Sequence, residues 1–146
     1  TSRNTNSSRF GKFVEIGFDE SGRVMGATIS TFLLERSRVV AIAAPERSYH
    51  IFYQLCAGAS DVQRAVLHLE GGAKGFRYLA ASPVLTLQDV DDSEAFRHTC
   101  DAMRIVGLSD QDQQAVFSIV ASVLHLGNIE FVAGPTGEDC TVGNQG

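Results

Sequence analysis

The stretch NTNSSRFGKFVEIGF, Asn4 to Phe18, joins two kinds of chain. Every residue up to Ser8 is polar; from Phe13 onward Val14, Ile16 and Phe18 alternate with Phe13, Glu15 and Gly17. That alternation is the period of a half-buried strand, because successive side chains of extended chain point to opposite faces. Asp19-Glu20-Ser21-Gly22 supplies turn chemistry, and the run Val24 to Leu34, rich in Val, Thr, Ile and Phe, reads as the returning strand of a β-hairpin. The polar part has two readings. Composition by itself describes an untethered terminus. A loop whose amides, hydroxyls and guanidinium hold an anion is the other reading. The local charge suits it: Thr1 to Val14 contains no acid, while Arg3, Arg9 and Lys12 are positive.

Working outward, helical periodicity replaces alternation. Pro45 and Glu46 open a predicted helix in which Tyr49, Phe52, Tyr53 and Cys56 recur at steps of three and four, with Gly58 as its stop. A second helix is expected from Asp61 to Leu69. Glu70 to Leu87 carries Gly71, Gly72, Gly75 and Pro83 and reads as loop, with a brief turn around Phe76 to Leu79. Asp91-Asp92-Ser93 caps a long amphipathic helix with Phe96, Cys100 and Met103 on one stripe and Gly107 at its end. Ser109 and Asp112 form a variant capping box before a helix whose apolar side is Val116, Ile119, Val120, Val123 and Leu124. Gly127-Asn128 closes that helix. Ile129-Glu130-Phe131 is a short strand-like exit, and Val132 to Gly146 is irregular by composition. The chain is thus expected to be α+β, mainly α-helical, with an N-terminal β-hairpin and one domain.

At 146 residues, 44% hydrophobic and 20% charged, the chain has the composition of a globular domain. A formal net charge of -5 argues against broad binding to nucleic acid or an anionic membrane. No apolar run approaches the roughly twenty residues of a membrane helix, and no leader is visible, so the expected location is cytoplasmic. Cys56, Cys100 and Cys140 are odd in number and far apart, as reduced thiols are. The four histidines fall in neither HExxH nor a Cys/His cluster. His125, between Leu124 and Leu126, reads as a packed helix-end histidine. Lys74 lies beside three glycines, but GGAKGF has neither the spacing nor the strand-to-helix context of GxxxxGK[ST], so it reads as surface loop.

A nucleotide-phosphate loop needs short-range donors, a hydroxyl able to enter a Mg²⁺ shell and a fixed positive group. Asn4, Ser7, Ser8 and Arg9 offer all three, and the arginine fork suits either a phosphate or a carboxylate. A polar tail with one arginine meets the same requirements, so the residues alone leave both readings open.

NTNSSRFGKFVEI closely resembles switch I of the myosin motor domain. In the same order FLLERSRVV, ERSYHIFYQLCAG, FRYLAAS, DDSEAFRHTCDAMRIVGLS and VFSIVASVLHLGNIEF each look like their myosin counterparts. The resemblance implies the P-loop NTPase motor fold. It implies residues 1–12 as switch I, 13–44 as a β-hairpin of the central sheet and transducer, 45–131 as the helical upper actin-cleft subdomain, and 132–146 as a loop.

Carried over by position, Asn4 matches the residue that contacts the nucleotide phosphates. Ser7 matches the one that positions the attacking water and Ser8 the Mg²⁺ ligand; Arg9 matches the arginine that pairs with a switch II glutamate. Thr5 and Gly17 depart from the family's commoner residues at positions not assigned to phosphate or metal.

The implied cofactors are ATP and Mg²⁺, and the implied partners are the actin filament and the remaining motor subdomains, with no nucleic acid and no membrane insertion. Cytoskeletal location follows from the same resemblance. The family's P-loop, GESGAGKT, and its switch II are absent from these residues, so the expectation is a motor fragment inactive alone. The alternative is a non-enzymatic protein-binding module derived from the myosin head.

Overall fold

The computed structural model describes residues 11–32 and 34–143. Strand β1 (Gly11–Phe18) pairs antiparallel with β2 (Val24–Phe32), in a register that sets Gly11 opposite Phe32 and Ile16 opposite Ala27. Asp19 makes the turn. Its carboxylate oxygen accepts from the backbone N–H groups of Ser21 and Arg23 at 2.9 and 2.8 Å, and Gly22 takes the positive φ of 79°.

The hairpin is as expected; its burial is not. Val14, Ile16 and Phe18 are exposed, and so are Phe13 and Ile29. A two-stranded ribbon has nothing of its own to cover either face, so an apolar stripe on it stays open unless further structure packs there. The hairpin also ends before Leu34, and Ser37–Val40 forms a single helical turn, α1.

Every buried hydrophobic side chain among the described residues lies between Phe52 and Leu124. Helix α2 (His50–Gly58) supplies Phe52, Tyr53, Leu55 and Cys56. It begins at His50 rather than at Pro45 and Glu46, because Arg47 and Ser48 are committed elsewhere: both are buried, and the Ser48 N–H donates to the Tyr53 hydroxyl at 3.1 Å. Helix α3 (Asp61–Leu67) starts on a full capping box of Ser60 and Gln63 and stops at His68, whose φ of 52° is left-handed. A 3₁₀ turn over Ala73–Gly75 and the short α4 (Arg77–Ala80) follow, which is the brief turn expected there.

Helix α5 (Asp92–Ile105) is capped by Asp91, whose carboxylate accepts from Ser93 and Glu94. Its Phe96 packs on α2 and, at a ring-centroid distance of 4.9 Å, on Phe117 of α6 (Asp110–Gly127). The Ser109–Asp112 box starts α6. Of its expected face, Leu124 is buried and Val120 and Val123 pack partly buried against the core, whereas Ile119 is 67% exposed; Gln113, Phe117, Ala121 and Gly127 are buried as well. The large ring of Phe117 sets the helix rotation and carries Ile119 to the outside.

At the helix end the Asn128 carboxamide accepts from the Arg77 N–H at 2.8 Å and donates to the Gly75 carbonyl at 2.7 Å, tying the end of α6 to α4 and to the 3₁₀ turn. The segment after it is not irregular throughout. Strand β3 (Phe131–Ala133) pairs with β4 (Cys140–Val142) around a turn at Gly137, φ 74°.

Candidate functional site

Asn4, Ser7, Ser8 and Arg9 lie outside the described residues. What the structure shows is the frame that leads from them. Strand β1 begins at Gly11, two residues after Arg9, and its register places Gly11 against Phe32. A Cβ at Gly11 would come within 3.0 Å of the Phe32 ring, so this pair depends on the missing side chain. The start of β1 and the end of β2 are therefore one structural point.

After β2 a polar network links Glu35 to the helical body. Arg38, on α1, is its hub: Nε meets Glu35 Oε2 at 2.6 Å, and Nη1 reaches Glu46 Oε2 at 3.5 Å and the Arg47 carbonyl at 3.3 Å. The Tyr49 hydroxyl donates to the Glu35 carbonyl at 2.7 Å, and the Ser48 hydroxyl donates to the Arg38 carbonyl at 3.0 Å. Glu35, Arg38 and Glu46 thus form an ion-pair network.

Next along the chain, Arg47 is fully enclosed. One guanidinium N–H donates to Asp92 Oδ2 at 2.8 Å, and its carbon lies 3.8 Å from the centre of the Tyr53 ring. Arg47 Nε and Nη1 and Asp92 Oδ1 have no hydrogen-bond partner among the described residues. Sequence reading took Asp92 for a helix-start acid and passed over Arg47. The available signal was an arginine inside an otherwise core-forming stretch, ERSYHIFY, where a buried charge requires a partner.

Two other sequence readings are settled by contacts. His125 Nε2 lies 2.9 Å from the Leu67 carbonyl, with its ring edge-on to Phe76, which makes it a packed helix-end residue. Lys74 is exposed on the 3₁₀ turn, in no strand-to-helix loop, although that turn does border an open cleft of about 290 Å³ with Tyr53, Cys56 and Asp92. Burial pushes the Cys56 thiol up to about 11. No described helix is long and apolar enough to cross a membrane.

The sequence that folds into this hairpin and helical body has counterparts among known proteins. The profile of the myosin head (motor domain) family matches residues 1–145, and this chain belongs to that family. Similar curated proteins include Myosin-16 of Arabidopsis thaliana, 52% identical over 143 residues that are 97% of this chain and 11% of that protein. Protein OPAQUE1 of Zea mays is 54% identical over 134 residues, which are 92% of this chain and 9% of that one. Myosin-1 of Arabidopsis thaliana is 54% identical over 131 residues, 90% of this chain and 11% of its own length. The chain thus corresponds to about a tenth of the length of these relatives.

Proposed function

We propose that these residues form the switch I and upper actin-cleft part of an actin-based cytoskeletal motor that couples ATP hydrolysis to movement, within a P-loop NTPase fold. Residues 1–12 are switch I, the hairpin belongs to the central sheet and transducer, and the helical body belongs to the actin-cleft subdomain. The observation that carries this reading is the family match, which runs unbroken through the polar loop and every element after it. The open faces of β1 and β2 support it too, since an apolar ribbon of this kind suits a sheet continued by other strands.

Bound magnesium ATP would supply the terminal phosphoryl group and the charge that must be stabilised. The protein's part is positioning and electrostatics. Asn4 would donate its amide to phosphate oxygens. Ser7 would orient the attacking water, and Ser8 would offer a hard hydroxyl oxygen to Mg²⁺. Arg9, which keeps its proton, pairs with a carboxylate of the opposing wall when the loop closes. Lacking a GxxxxGK[ST] cradle, the 146 residues alone give no turnover above buffer.

The test is made in a motor head that contains these residues. Ser8→Ala and Arg9→Ala nearly abolish steady-state ATP hydrolysis while the head remains folded and soluble. Rates equal to wild type in both would overturn the assignment.

A further inference from the structure

We propose that residues 34–45 form a polar-latched strap, a segment that opens from the helical body as one unit while the core beneath stays folded, with Arg38 as its latch. The strap is independent of the nucleotide-loop reading, since every residue that fastens it lies between Glu35 and Tyr49.

Packing does little to hold this segment. Residues 34–45 include no buried side chain, and Val39 is their hydrophobic contact with the core cluster. A stretch with so little buried apolar surface belongs to the least stable part of a fold. Its backbone bonds are local: the Val39 N–H donates to the Arg36 carbonyl and the Ala41 N–H to the Ser37 carbonyl. Among the described residues, no backbone–backbone hydrogen bond joins 34–45 to α2 or to any later element.

Side chains do the fastening. Arg38 Nη1 donates to the Arg47 carbonyl at 3.3 Å and reaches Glu46 Oε2 at 3.5 Å, while Nε, at 2.6 Å from Glu35 Oε2, keeps the guanidinium oriented. In return the Ser48 hydroxyl donates to the Arg38 carbonyl, and the Tyr49 hydroxyl to that of Glu35. Arg38 takes part in all of these except the Tyr49 bond.

The seat of the latch stays behind when the strap opens. Burial changes abruptly there, because Arg47 and Ser48 are 1% and 0% exposed. Arg47 is locked to Asp92 at the start of α5 and stacked on Tyr53, whose hydroxyl accepts from the Ser48 N–H. The strap therefore has a fixed edge at residue 46.

Charge distinguishes this opening from unfolding of the core. The Arg38 and Glu35 side chains are 16% and 47% exposed, so salt reaches and screens their pairing, whereas the apolar contacts of α2 are not weakened in that way. A single helical turn such as α1 does not persist once detached, so opening frees its amides to exchange.

The experiment is hydrogen exchange, read by mass spectrometry, on a motor head that contains these residues. Wild type is compared with Arg38→Met and Tyr49→Phe, and with Arg97→Met as the control for loss of an exposed ion pair. In wild type the amides of Val39 and Ala41 should exchange at least about tenfold faster than those of α2, and faster still as salt is raised. Arg38→Met should speed strap exchange by about a further tenfold, the loss typical of a hydrogen bond between charged groups. It should leave α2 and the melting temperature close to wild type and abolish the salt response. Tyr49→Phe should speed strap exchange by less and keep that response; Arg97→Met should change neither.

Strap amides that exchange no faster than α2 in wild type would overturn the proposal. So would Arg38→Met without effect on the strap, with equal acceleration of α2, or with the salt response intact. Should Arg38→Met fail to fold, wild-type strap exchange in Tyr49→Phe together with no salt response in wild type would overturn it as well.

Discussion

Arg47 and Asp92 meet at 2.8 Å across 45 residues of sequence, with side chains 1% and 9% exposed. This single ion pair joins the chain entering α2 to the first turn of α5. Only one oxygen of the carboxylate is engaged, and the Tyr53 ring supplies the guanidinium with a face to stack on. Asp92 also sits where the positive end of α5 favours an acid.

The consequence is an asymmetry between single and double replacement. Arg47→Met leaves a carboxylate buried without its partner and should cost about 3–5 kcal/mol, as breaking a buried pair usually does. Combining it with Asp92→Leu removes the second desolvated charge, and most of the loss should return. Urea unfolding of the three variants checks this. A single variant as stable as wild type would show that the pair carries no structural load.

Close approach between α2 and α5 gives a second expectation, of opposite sign to helix propensity. Alanine in place of a helical glycine ordinarily stabilises by up to about 1 kcal/mol. At Gly58, however, a Cβ would stand 2.5 Å from Phe96 Cβ and 2.9 Å from its Cγ. Those atoms are rooted near the α5 backbone and cannot swing aside. Gly58→Ala should therefore destabilise by about 1–3 kcal/mol. Gly75→Ala, where nothing lies within 4 Å, should be nearly neutral. Equal melting temperatures for the two variants would refute the argument.

What the sequence disclosed follows physical range. The hairpin was legible because its signals are local: alternation from Phe13 to Phe18 and the turn residues Asp19 to Gly22. The capping acids of α5 and the Ser109–Asp112 box were legible for the same reason, since each bonds within three residues. Non-local choices were hidden. The start of α2 at His50 depends on Arg47 finding Asp92, 45 residues away. The rotation of α6 depends on Phe117 meeting Phe96, and β4 on a partner across a glycine turn. Of the candidate site, only the residue types at Asn4, Ser7, Ser8 and Arg9 could be read. The charges at Glu35 and Arg38 were visible, but not their grip on Glu46, Arg47 and Tyr49.

Acid should weaken the start of α6 through Asp112. The Ser109 hydroxyl, and then its backbone N–H, bond the Asp112 carboxylate at 2.5 and 3.1 Å and hold its pKa below the usual 3.8. A carboxyl lowered in the fold contributes fully above its unfolded value, and the contribution is lost as pH falls through the folded one. The melting-temperature advantage of wild type over Asp112→Ala should therefore be present near about pH 6 and shrink toward about pH 3. An advantage that does not change with pH would point to packing instead of charge.

The thiols divide at the alkaline end. Burial raises Cys56 from 9.0 to about 11, against a smaller opposing effect of Arg64. Since the thiolate is the nucleophile, about one Cys56 in a thousand is reactive near pH 8, even before its 3% exposure restricts access. Cys140, exposed on β4, should be labelled rapidly by a disulfide reagent under native conditions; Cys56 should react only after unfolding. The same shift gives stability a direction. Between about pH 9 and about 11 the unfolded chain releases the Cys56 proton while the folded chain keeps it, so the unfolded state is favoured as pH rises through that window. Cys56→Ala should lack this part of the alkaline decline while paying a packing penalty at every pH. A parallel decline in both proteins, or rapid native labelling of Cys56, would mean that the thiol is not sealed in the α2 core.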